Sequence, residues 1–412
     1  MIRTSSARPH IAAAMGLLLL GLTGPAMAAD PIKIGVLEDQ SGDFALATIG
    51  KVHGIQLATD EINAAGGIDG RKIELVIYDT QSDNTRYQEF MRRVLQRDKV
   101  DVVFAGFSSA SREAYRPIVD QLDSFAFYNN QYEGGVCDSH MVVTGAVPEQ
   151  QFSTLIPWMM ETYGKKVYTI AADYNFGQIS AEWVCQIVKE KGGEMIGEEF
   201  IPLGVSQFSQ TIQNIQKAKP DVLITLLVGT AQASYYSQAA AANLKVPMGS
   251  SVNVGQGYEH KRFAPPSLAN MYATVNYVEE VDTPESRAFV AKWKAKFPNE
   301  PYINQEAENS YLAIYLYKQM VERAKSTKRA DIRKVIAQGD VCFNAPEGKV
   351  CIDPKSQHMS HTIYMAKVGD DHKVTFPKVW NDIKPYWLGD AGCDLTKNDP
   401  MTQYTPSNPP KK

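Results

Sequence analysis

Gly106-Phe107-Ser108-Ser109-Ala110-Ser111 joins a short apolar run to an amphipathic one. Gly106 lets the backbone come close to a bound group, the serines supply hydroxyls, and the first N–H groups of a following helix are free to donate. Such a turn can hold a carboxylate or a carbonyl oxygen. Its simplest use is a serine helix cap, the role expected of Ser111. Tyr128-Asn129-Asn130-Gln131-Tyr132-Glu133-Gly134 adds aromatic walls and amide groups. Asp173-Tyr174-Asn175-Phe176-Gly177, Val228-Gly229-Thr230 and Gly249-Ser250-Ser251-Val252-Asn253 have the same hydroxyl, amide and aromatic character. Each alone suits a loop that satisfies its own backbone. Together they read as a surface that recognises a small polar molecule without covalent chemistry.

The spacings that catalysis needs are missing. There is no Gly-x-Ser-x-Gly elbow, Walker loop or His-Glu-x-x-His. Leu37-Glu38-Asp39-Gln40-Ser41-Gly42 stands where a dinucleotide-binding glycine motif would follow the first strand. His358 and His361 have helical spacing but fall where a loop becomes a strand, so no metal site is expected. Without a Cys-x-x-Cys motif neither a zinc nor a redox centre is expected. The reading is a protein that is not an enzyme and carries no cofactor.

The five clusters recur because the elements before them do. Ile32–Leu37 reads as a buried strand, and the helix from Ile49 to Ala64 is closed by Gly66-Gly67. Strands at 73–78, 100–104 and 125–128 alternate with helices at 83–97 and 111–122. The plan then repeats: strand 167–171, helix 177–191 closed by Gly192-Gly193, strand 222–227, helix 230–243 and strand Val246-Pro247-Met248. Two βαβ arrays imply two doubly wound α/β lobes, with ligands beyond the carboxyl ends of the strands, where the five clusters lie. Helical residues 284–338 return to the first lobe, which makes the chain cross between lobes several times. The expected division is 29–144 with 279–355 as lobe 1, 145–278 with 356–395 as lobe 2, and 396–412 as a loosely held polar tail.

Arg3 and Arg8, the apolar run Ile11 to Leu22 and Pro25-Ala26-Met27-Ala28-Ala29 have the form of a secretory signal peptide cut after Ala28. That places the mature protein in the periplasm, peripheral to the membrane. The run is shorter than the roughly 20 residues a spanning helix needs. Net charge is −4 with acids and bases interspersed, so no nucleic-acid partner is expected. In an oxidising compartment Cys342 and Cys351, flanking a turn, are expected to staple a hairpin. Cys137, Cys185 and Cys393 allow three pairings with one thiol left over, and the sequence does not choose among them.

Ile34-Gly35-Val36-Leu37 through Ser41-Gly42, then Ala58-Thr59-Asp60-Glu61-Ile62-Asn63-Ala64-Ala65-Gly66-Gly67-Ile68-Asp69-Gly70-Arg71, resembles the periplasmic Leu/Ile/Val-binding proteins of ATP-driven transporters, over nearly the whole mature chain. Tyr132-Glu133-Gly134, Thr144–Gln151 and Asp282–Val290 are similar to the urea and short-chain amide binders within that family, including an amide-sensing regulator. The resemblance implies the type I periplasmic binding fold, a monomer that closes on a small solute and docks on membrane permease subunits. It implies ligand contacts from Phe107, Ser109, Tyr128, Asn130, Tyr174 and Asn253, beside the Ser108 hydroxyl read from the turn itself. The amide binders place a small hydroxyl residue and a proline where Asn130 and Gln131 stand, so this chain departs from them there.

One test separates solute classes. An amino acid's buried ammonium requires a carboxylate partner. Family members that bind amino acids supply an acid after the strand that ends here at Met248, but residues 249–258 contain none, and Glu259 is the first. This favours urea or a short amide over a branched-chain amino acid, although Glu38, Asp39 or Asp173 could supply the charge. A periplasmic ligand sensor is the alternative from another class. A cage of Phe107, Tyr128, Tyr132, Tyr174 and Phe176 around a quaternary amine is a further solute alternative.

Overall fold

The computed structural model describes residues 1, 2, 4, 5, 30–300 and 302–409. The signal-peptide reading and the last three residues lie outside these.

Strand β1 (Ile32–Glu38) is buried on both faces, as expected of a central parallel strand. Helix α1 (Ala45–Ala64) carries the chain to β2 (Ile73–Asp79). Helix α2 (Asn84–Arg92) continues into a π-helical turn, Arg93–Asp98, before β3 (Val102–Ala105). Helix α3 (Ser109–Gln121) leads to β4 (Ala126–Tyr128), β5 (Val136–Asp138) and β6 (Met141–Val143). The first sheet has the order β2-β1-β3-β4-β6 and is parallel throughout.

The second half begins with α4 (Pro148–Tyr163), β7 (Lys166–Ala172), α5 (Asn175–Glu190) and β8 (Glu194–Ile201). It goes on through α6 (Ser209–Ala218), β9 (Val222–Leu226), α7 (Gly229–Ala241), β10 (Met248–Ser250), α8 (Glu259–Arg262) and β11 (Met271–Val275). Strand β10 starts two residues later than the sequence suggests. Pro247 has no N–H for the ladder, though its carbonyl accepts from Leu223 N at 3.0 Å.

Residues 284–338 form three helices, α9 (Pro284–Lys296), α10 (Gln305–Ala324) and α11 (Arg329–Ile336). Helix α10 packs along α1. A Cβ at Gly54 would sit 2.3 Å from the Ala307 carbonyl oxygen, so glycine sets how close the two helices come. Tyr311 and Tyr315 both donate to Glu61 of α1, at 2.9 and 2.5 Å. The chain closes with hairpin β12 (Cys342–Ala345) and β13 (Gly348–Cys351), then β14 (His361–Val368) and β15 (Val374–Ile383). The second sheet has the order β15-β14-β11-β10-β9-β7-β8, parallel except for the two antiparallel strands at the β15 edge. Two mainly parallel sheets with helices around them are the doubly wound lobes the pattern implied.

Cys342 is bonded to Cys351 across the hairpin, and Cys137 to Cys393, which leaves Cys185 as the odd thiol. After α12 (Tyr386–Ala391), the segment expected to hang loosely is tied down. Strand β16 (Met401–Gln403) pairs antiparallel with β5, and Tyr404 N donates to Gly135 O at 2.8 Å. Polar composition hid this, because β-ladder bonds need only backbone groups. Among the described residues no helix is long and apolar enough to cross a membrane.

Candidate ligand-binding site

On the first sheet's edge, β3 ends at Ala105 and Gly106 turns the chain at φ +90°, a conformation that favours glycine. Phe107 follows, and Ser108 caps α3, its hydroxyl accepting from Ser111 N at 3.0 Å. The Ser111 hydroxyl donates to Ser108 O at 2.8 Å. Ser109 points elsewhere: its hydroxyl donates to the Glu133 carboxylate. One turn along α3, Arg112 is fully buried and reaches Glu133 at 2.7 Å and Glu113 at 2.9 Å. Its guanidinium lies over the Tyr132 and Tyr128 rings, 4.6 and 5.2 Å from their centroids. Burial works against its charge, but Glu133 and Glu113 hold it protonated.

The floor behind Gly106 is a second buried ion pair. Lys51 contacts Glu38 at 2.8 Å and donates to Gly106 O at 2.5 Å. Burial pushes the Glu38 carboxyl up to about 8, with Lys51 pulling it back. The Tyr128 hydroxyl donates to Phe107 O at 2.6 Å. Asn130 Nδ2 donates to Gln131 O at 2.8 Å, which turns Asn130 Oδ1 the other way.

On the second sheet's edge, Tyr174 occupies the N-cap position of α5 and Phe176 follows, their rings 5.9 Å apart. Val228 stands at the start of α7. Gln256, in the loop after β10, donates to Glu306 at 2.9 Å. Burial pushes the Glu306 carboxyl up to about 7, while Lys51 and its hydrogen bonds pull it down.

Between these edges lies a narrow pocket with ≈ 10 Å³ of room, about one water molecule, lined by Phe107, Ser109, Asn130 and Gln131 on one side, and by Tyr174, Phe176, Val228 and Gln256 on the other. It shares Phe107, Val228 and Gln256 with a wider cleft of ≈ 400 Å³, where Phe44 packs on Phe107 with ring centroids 5.0 Å apart. Among the described residues no charged side chain lines the inner cavity. Asn130 Oδ1 and Gln131 Oε1 are buried and have no hydrogen-bond partner among the described residues. An acceptor buried without a partner costs about 1–3 kcal/mol.

The structure thus brings together Phe107, Ser109, Asn130 and Tyr174. It commits the other three side chains elsewhere: Ser108 caps α3, Tyr128 braces the Phe107 carbonyl, and Asn253 accepts from Gln232 and donates to Tyr236. Gln131 and Val228 lie in the strand-end clusters without a contact role expected of them, and Phe176 was expected only in the cage alternative. Gln256 sits in the stretch 249–258, which the sequence marks only by its lack of an acid. The Arg112–Glu133 pair had no sequence signal beyond the Tyr132-Glu133-Gly134 motif. His358 and His361 serve different partners, Tyr132 OH at 2.5 Å and Glu347 at 2.9 Å. Burial lowers both histidines, to about 4 and about 3.

Residues 31–373 match a family model described as periplasmic binding protein. The Leu/Ile/Val-binding protein homolog 6 of Brucella suis is 24% identical over 366 residues, covering 87% of this chain and 93% of that one. A solute-binding protein of an ABC transporter from R. palustris, solved in complex with 4-hydroxybenzoate, superposes with a TM-score of 0.77 at 20% identity, covering 90% of this chain and 100% of that one. A branched-chain amino acid transporter substrate-binding protein from Streptococcus pneumoniae, solved with isoleucine, gives 0.74 at 20% identity, covering 86% and 100%.

Proposed function

The chain belongs to the periplasmic binding protein family, and from that premise we propose that it captures a small neutral solute, urea or a short-chain amide, and delivers it to an ABC permease. Proteins of this family bind substrates without converting them, and this one is not an enzyme. The observation that carries the solute class is the pair of buried oxygens, Asn130 Oδ1 and Gln131 Oε1, without partners at the wall of an uncharged cavity. With Ser109 Oγ they make three acceptors. Urea, with four N–H groups, can donate to all three and a primary amide, with two, to two of them, and neither brings a charge that needs neutralising.

An α-amino acid would need a carboxylate for its ammonium. Glu259, the first acid after β10, is turned inward onto Val254 N at 2.8 Å. The rings of Phe107, Tyr174 and Phe176 favour one second reading, a small aromatic solute held between them. Lobe closure over the solute, export by the signal peptide and action in the periplasm belong to the same proposal.

A thermal-shift screen tests it, using urea, acetamide, L-leucine, L-isoleucine, 4-hydroxybenzoate and choline. A solute at 100 times its dissociation constant stabilises the fold by about 2.7 kcal/mol. Urea or acetamide is expected to raise the melt. A shift with leucine or 4-hydroxybenzoate and none with the amides overturns the solute class.

A further inference from the structure

We propose that Gln403, on the C-terminal strand β16, is a positioning residue of the solute site, held in place by the Cys137–Cys393 disulfide. Ser109 lines the cavity, and its hydroxyl is fixed by one oxygen of Glu133. The other oxygen, Oε1, takes Arg112 at 2.7 Å and Gln403 Nε2 at 2.6 Å. The Gln403 carbonyl accepts from Arg112 at 3.1 Å, and its amide also reaches Gly134 O at 2.9 Å. A single neutral side chain thus bridges both members of a buried ion pair and orients the carboxylate that holds Ser109. Buried charges tolerate little loss of such partners.

The anchor is covalent. Thr402 lies opposite Cys137 in the β16–β5 ladder, and Cys137 is bonded to Cys393. The segment also meets the second lobe at two points: Trp387 packs on Trp183 of α5 with centroids 4.9 Å apart, and Ser407 N donates to Glu182 at 3.1 Å. Trp183 itself donates to Glu133 O at 3.1 Å. Helix α5 carries Tyr174 at its start, so the same segment braces both walls of the cavity.

The inference rests on the site described above, and the experiment separates the two. Dissociation constants are measured at 25 °C for wild type, Ser109→Ala, Gln403→Ala and Gln403→Glu, with acetamide as probe and L-isoleucine and 4-hydroxybenzoate in parallel. Hydrogen exchange of the Ser109 and Ala110 amides is followed without solute. Gln403→Ala is expected to weaken binding about fivefold and to speed that exchange severalfold. Gln403→Glu sets a second carboxylate against Glu133, so its affinity is expected to recover as pH falls from 8 to 5, more steeply than wild type; a residue that only stabilised the fold would not produce this. Unchanged affinity and exchange in Gln403→Ala, with Ser109→Ala weakened, overturns the positioning role. No effect of Ser109→Ala on any probe that binds overturns the site and the proposal together. If no probe binds, unchanged exchange alone overturns the positioning role.

Discussion

The hydroxyl of Ser109 gives its one proton to Glu133 and accepts from Arg112 Nη1 at 3.4 Å, so toward the cavity it offers one remaining lone pair and no hydrogen. A solute that donates N–H is matched to it, and one that presents a carboxylate is not. Ser109→Ala removes this acceptor and leaves Glu133 with Arg112 and Gln403. The expected loss is about 1 kcal/mol of binding, roughly fivefold in Kd, measured by titration calorimetry. A tighter complex would show that Ser109 opposes the solute.

Asn130→Asp tests the neighbouring acceptor. The carboxylate keeps an oxygen near the place of Oδ1 but brings a negative charge into a cavity that has none. It also loses the amide donation to Gln131 O. Affinity for a neutral amide is expected to fall by about tenfold or more at pH 8, which is 1.4 kcal/mol or more. It should recover in part as the new carboxyl is protonated in acid. Equal affinity at pH 5 and pH 8 would place residue 130 outside the solute's reach.

Much of this site was legible because of where parallel strands end. Phe107, Ser109, Asn130 and Tyr174 each follow a strand within two to four residues, and that rule places them on one edge. Asn253 obeys the same rule, yet Gln232 and Tyr236 of α7 engage both ends of its amide inside the second lobe. Composition cannot distinguish an amide turned inward from one turned outward. Gln256, six residues past β10, reaches the cavity only because the lobes meet there, a long-range fact with no local pattern. The three-residue strand β16 was unreadable for the same reason. Its partner lies more than two hundred residues earlier, and the disulfide beside it was one of three open pairings.

The buried carboxyls should make stability fall as pH rises from acid to neutral, opposed below about pH 6.5 by His358 and His361, which burial lowers to about 4 and about 3. Burial pushes the Glu306 and Glu149 carboxyls up to about 7, against 4.5 for an ordinary glutamate. Lys51 opposes the shift at Glu306, and neighbouring Glu38 is raised as well, to about 8. The folded protein therefore holds these protons more tightly than the unfolded chain. Their contribution is full below about pH 4.5 and is lost as pH rises through 7. Across melting temperatures taken from pH 5 to 8, wild type should lose stability relative to Glu306→Gln, which does not titrate at this position. Parallel profiles would remove Glu306 from the account.

The two disulfides should differ in what they contribute. Cys342–Cys351 closes a separation of 9 residues in a hairpin whose ladder already sets Cys342 opposite Cys351. Cys137–Cys393 closes 256 residues and joins the first lobe to a segment that leaves the second. Loop-closure entropy assigns about 2.5 kcal/mol to the short loop and about 5.5 kcal/mol to the long one. Replacing both cysteines of each pair with serine, followed by denaturant unfolding, is expected to rank the long-range pair as the more costly loss. Binding should follow the same order, because the long-range bond fixes the strand that carries Gln403 and the hairpin bond touches no cavity-lining residue. If the hairpin pair proves the costlier, the C-terminal segment is held by its ladder and hydrogen bonds alone, and the disulfide is not its anchor.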